Sequence, residues 1–133
     1  MRRALVIAAS FSLLIGAAAP SKAAVAAAGP AGFAVGFLTP VVVMPEGDGI
    51  TFANSDVAPH NFIATDAFVP KKKAKKVKWC SAYDKGKCPL FWSETITASQ
   101  TTEVQGLDAV TSGEQYGFYC SIHPGMKGTL IVP

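Results

Sequence analysis

The chain has almost no histidine: 133 residues contain two, His60 and His123. Any centre needing a third imidazole is therefore closed to a single copy. No tract rich in His or Met exists, so an open, exchangeable metal-handling surface is not encoded either. Helical periodicity is nowhere sustained over a helix length, and there is no internal repeat. Cysteine is limited to Cys80, Cys88 and Cys120. Three thiols cannot all pair within one chain, so one is left to explain.

The chain also lacks an apolar run long enough for a membrane span. Ala4 to Ala19 is apolar or small, but short of the roughly 20 residues a spanning helix needs. Met1-Arg2-Arg3 before it and Pro20-Ser21-Lys22-Ala23 after it give the pattern of a secretory signal peptide, residues 1–23, cut after Ala23. A membrane anchor is the alternative. The formal charge of +3 comes from that segment. Without Arg2, Arg3 and Lys22, nine basic side chains face nine acidic ones. Nucleic acid is thereby disfavoured as a partner, and the expected mature protein is not membrane-inserted. About 110 residues remain, enough for one domain with one core.

In an exported protein, Cys80 and Cys88 lie close enough in sequence, across Lys85-Gly86, to form a local disulfide. Cys120 is then the unpaired thiol. It begins the stretch Cys120-Ser121-Ile122-His123-Pro124-Gly125-Met126, which sets a thiolate, an imidazole and a thioether three residues apart. Soft sulfur with imidazole suits copper, and two His, one Cys and a weak axial Met make an electron-transfer set. His60 is the one source for the second imidazole. A buried apolar cysteine, or a zinc site using all three cysteines with a histidine, are the competing readings. One free thiol in the metal-free protein fits the disulfide, and three fit zinc.

Along the chain, 24–32 is rich in Ala, Gly and Pro and reads as a flexible linker. From Phe33 short β-prone runs follow: 33–38, 41–44, 50–54, 60–65, 91–97, 101–105, 115–120 and 127–132. Pro45-Glu46-Gly47-Asp48 is a turn signal. The pattern is that of an all-β sandwich or barrel, with one irregular inserted loop around residues 66–90. The insert carries Lys71, Lys72, Lys73, Lys75, Lys76 and Lys78 on no apolar stripe. These read as a solvated loop or as a docking patch for an acidic redox partner.

Three segments carry a family resemblance: P-E-G-D-G-I-T-F-A-N (45–54), A-P-H-N (58–61) and G-F-Y-C-S-I-H-P-G-M-K-G-T-L (117–130). The sequence resembles the small blue copper proteins, the cupredoxins of the plastocyanin, amicyanin and pseudoazurin type, over residues 33–133. The two-residue gap between His123 and Met126 matches the short-loop version, nearest to amicyanin. The resemblance implies a Greek-key β-sandwich and one copper ion per chain, held by His60, Cys120, His123 and Met126. It implies that Asn61 ties the two ligand loops by hydrogen bonds. It also places His123 near the surface as the electron exit. The 66–90 insert departs from the family pattern, as does Ile122, where many members have Pro.

The expected function is a monomeric, soluble one-electron carrier in the periplasm or secreted. The alternative is a copper storage or delivery module with the same ligands. An enzyme is not expected, because both histidines are spent on one centre.

Overall fold

A computed structural model describes residues 23–31, 34–84 and 86–133. The expected signal peptide lies outside the described residues. Two four-stranded sheets face each other as an all-β sandwich. The first has the order β2-β1-β4-β6 and the second β3-β8-β7-β5. The strands are β1 (Ala24–Ala31), β2 (Ala34–Phe37), β3 (Val41–Val43), β4 (Ile50–Asn54), β5 (Ile63–Ala64), β6 (Thr101–Glu103), β7 (Gln115–Tyr119) and β8 (Lys127–Ile131).

The main correction is at the start. Residues 24–31 are a strand, not a linker. β1 lies between β2 and β4, parallel to β4 with Ala24 opposite Ile50 and Ala28 opposite Asn54. Ala26 and Ala28 are fully buried there. Their small side chains let a central strand sit beneath the aromatic core, which composition alone does not reveal. The second correction is at 91–97. It contributes isolated bridges (His60 with Ile96, Ile63 with Trp92) rather than a strand. β5 is likewise only two residues long.

Between the sheets, alternation turns Ile50, Phe52, Phe118 and Leu130 inward, all with no exposed surface. The Phe62 ring stacks on Phe118 at 4.1 Å, and Phe37 meets Phe118 edge-on at 4.8 Å. Such pairs add about 1 kcal/mol each to the area they bury. Gly128 is required by this packing. A Cβ there would collide with the Phe118 ring and with the Pro40 carbonyl.

Residues 66–90 form a separate layer. A one-turn helix, α1 (Lys71–Ala74), and a 3₁₀ turn (Lys78–Ala82) fold over a small cluster of Val69, Cys80 and Cys88. Cys80 and Cys88 are disulfide-bonded, as their spacing suggested. The layer lies over the outer face of the second sheet, where Ile63 is 2% exposed yet apart from the inter-sheet core.

Candidate metal centre

Two segments meet at one end of the sandwich. β7 ends at Tyr119, and Cys120 follows it directly. The chain then turns tightly back into β8. Gly125 takes the left-handed conformation the turn needs (φ 85°). The Met126 N–H donates to the His123 carbonyl (3.2 Å), and the Cys120 N–H donates to the Met126 carbonyl (3.1 Å). Backbone bonds therefore close the loop, and Ile122 stays 40% exposed without loosening it.

His60 arrives from the other segment. It is not on a free loop: its N–H donates to the Ile96 carbonyl (3.0 Å), and its carbonyl accepts from the Ile96 N–H (2.9 Å). Asn54, buried at the end of β4, shapes the approach. Its side-chain NH₂ donates to the carbonyls of Ala58 (2.7 Å) and Ile96 (3.2 Å), and its Oδ1 accepts from the Asp56 N–H (2.8 Å).

The donor atoms converge. Cys120 Sγ lies 3.9 Å from His60 Nδ1 and 3.7 Å from His123 Nδ1. One ligand atom from each of the three residues falls within 4.8 Å of the others. The imidazole rings are 4.6 Å apart between centroids. Met126 is buried in the same loop, His60 and Cys120 are buried beside it, and His123 is half-exposed.

A carboxylate orients His60. Its Nε2 sits 3.0 Å from Asp56 Oδ2. The carboxylate can only accept, so the proton belongs on Nε2 and the Nδ1 lone pair faces Cys120. That hydrogen bond holds the Asp56 carboxyl below its ordinary value, against an opposing push from burial. Sequence reasoning passed over Asp56 and Asn54. The signal for Asp56 was an acidic side chain four residues before a ligand histidine.

Asn61 joins the two segments as the resemblance implied. Its Nδ2 donates to Ser121 Oγ (2.8 Å), and its Oδ1 accepts from the Ser121 N–H (2.8 Å). A longer contact reaches Thr95 Oγ1 (3.3 Å).

Two imidazole nitrogens and one thiol drawn together, with the buried Met126 thioether in the same loop, form a donor set that fits copper. The family comparison decides the matter: a model described as "Copper binding proteins, plastocyanin/azurin family" matches residues 23–133. The chain belongs to this family. Copper is the cofactor of this cupredoxin. Amicyanin from Paracoccus versutus (Thiobacillus versutus) superposes with TM-score 0.53 at 23% identity, covering 86% of this chain and 85% of that one. A purple cupredoxin from Nitrosopumilus maritimus gives TM-score 0.55 at 21% identity, covering 83% and 99%. At these identities the two structures speak for the fold. Among curated proteins, no sequence matches.

Proposed function

We propose that this cupredoxin is a soluble one-electron carrier acting outside the cytoplasm, with His60, Cys120, His123 and Met126 holding a single copper ion. The observation that carries the reading is the convergence of both Nδ1 atoms on Cys120 Sγ. When bound, copper supplies the Cu(I)/Cu(II) couple. The protein's part is to hold the ligands in one shape for both states. The Ile96 pairing holds His60, the Asn61 bonds hold the Cys120 loop, and Asp56 fixes the His60 tautomer. Ligands that cannot relax leave little to reorganise when the electron moves.

The burial of His60, Cys120 and Met126 speaks against a delivery module, whose metal must come and go. His123 alone offers an imidazole edge to solvent, which supports it as an electron exit. The disulfide supports an oxidising compartment. The lysines of the insert support a redox protein with an acidic face as partner.

The test is the visible and electron-paramagnetic spectrum of the copper-reconstituted, oxidised protein. An intense visible band that disappears in Cys120→Ser is expected. A colourless, copper-loaded oxidised protein would sink the proposal.

A further inference from the structure

The chain contains two tryptophans, Trp79 and Trp92, and both line one surface cleft. Their rings are nearly parallel, 6° between planes and 6.3 Å between centroids. The cleft measures about 400 Å³, within the usual span of small-molecule sites, about 300–1,000 Å³. None of its lining residues is a candidate copper ligand.

The cleft is built from braced parts. The Trp79 Nε1–H donates to the Pro89 carbonyl (3.0 Å), which fixes that ring within the insert. Trp92 is held to the segment after β6 by a two-way bridge. Its N–H donates to the Gln105 carbonyl (2.9 Å), and its carbonyl accepts from the Gln105 N–H (2.8 Å). Two carboxylates share the lining. Glu94 Oε1 accepts from Thr102 Oγ1 (3.0 Å), and Glu103 Oε1 accepts from Thr51 Oγ1 (2.9 Å). One such bond leaves most of a carboxylate's acceptor capacity unused. Lys78 completes the charged lining and, among the described residues, forms no ion pair with either glutamate.

This mixture selects a ligand by exclusion. Two carboxylates work against an anion, and Lys78 works against a cation. The indoles, being parallel, let a flat apolar face laid on one run parallel to the other. What suits the cleft is a neutral molecule with an apolar face and a rim of hydroxyls. Such a rim donates to Glu94 and Glu103, accepts from Lys78, and does either with Thr102 and the Gln105 amide. A pyranose ring has this form: C–H bonds on its face, hydroxyls around its edge. We infer that the cleft binds a neutral pyranose sugar, its face stacked on an indole and its hydroxyls bonded to Glu94, Glu103 and Lys78. The inference does not rest on the carrier reading. It gives the domain a second ligand, bound without any change at the metal.

The test is the tryptophan emission of the reduced, copper-loaded protein. Both tryptophans of the chain line the cleft, so the signal reports on that cleft alone. Cellobiose, lactose and methyl α-mannoside are titrated against two controls. Glucitol is an open-chain polyol with no ring face, and tetramethylammonium is an organic cation. At least one sugar should shift the emission saturably, in the millimolar range or below, and neither control should. Trp79→Ala, read through Trp92, should weaken that sugar about tenfold or more, and Trp79→Phe should weaken it less. Glu103→Ala, at an exposed position on β6, should weaken it about tenfold, and it serves if Trp79→Ala does not fold. A saturable response to tetramethylammonium and to no sugar would make this a cation site and overturn the proposal. So would an equal response to glucitol, no response to any sugar, or unchanged affinity in the variants that fold.

Discussion

Asn61→Ala is the sharpest probe of how the two halves of the centre are joined. Asn61 is 5% exposed and makes two 2.8 Å bonds to Ser121, one from its NH₂ and one to its carbonyl oxygen. A net intramolecular hydrogen bond contributes about 1 kcal/mol, and a stranded buried donor costs more. Ser121 is at the surface, so water replaces Asn61 there and the larger penalty does not apply. The expected loss is about 2 kcal/mol. A domain of about 110 residues has an unfolding entropy near 0.23 kcal/mol/K, so the thermal midpoint should fall about 8–10 °C. The assay is thermal unfolding of the metal-free protein with its disulfide intact, because bound copper adds its own stabilisation. Ser121→Ala removes one of the two bonds and should cost about half as much. The double variant should fall no further than Asn61→Ala alone, a coupling of about 1 kcal/mol. A midpoint shift below about 2 °C, or fully additive losses, would refute the idea that these bonds tie the loops.

Gly128→Ala should cost about 3 kcal/mol or more in urea unfolding, because the new methyl meets the Phe118 ring and the Pro40 backbone and only the ring can move. A near-neutral result would mean the aromatic stack has slack that its geometry does not show. Replacing Cys80 and Cys88 with Ala opens a loop of sequence separation 8. It should cost about 2.5 kcal/mol of stability while leaving the copper band intact. A changed band would tie the insert to the ligands. Tyr83 supplies a pH dependence. Burial first, then Tyr119, raises its pKa above the ordinary 10.0. The folded chain thus holds that proton more tightly than the unfolded one. The resulting stability is complete below pH 10.0 and is lost as pH rises through the folded value. Stability of Tyr83→Phe, followed by denaturant midpoint, should therefore fall less steeply above pH 10.0 than that of the parent; parallel curves would remove the effect.

What could be read from residue order was whatever is local or scarce. Cys120, His123 and Met126 announce themselves through spacing, and His60 through the want of any other histidine. Cys80 and Cys88 pair within one loop. Short β-prone runs marked β4, β7 and β8, each of which has one face in the core. β1 was missed because alanines buried by neighbours look the same as alanines in a linker. Residues 91–97 looked like a strand, yet Trp92 and Ile96 pair only as isolated bridges. Asp56 and Asn54 escaped notice because their roles depend on where a turn aims them.

The pairing of His60 with Ile96 has a consequence for which ion the protein carries. A ligand fixed by strand-like backbone bonds cannot follow the preferences of the metal. A cage of this donor chemistry would also suit zinc, which would leave it colourless and redox-silent. Copper outcompetes zinc at equilibrium, but with His60, Cys120 and Met126 sealed from solvent, replacement must proceed past His123. On the carrier reading, the rigidity that suits electron exchange would also slow the replacement of a wrong ion.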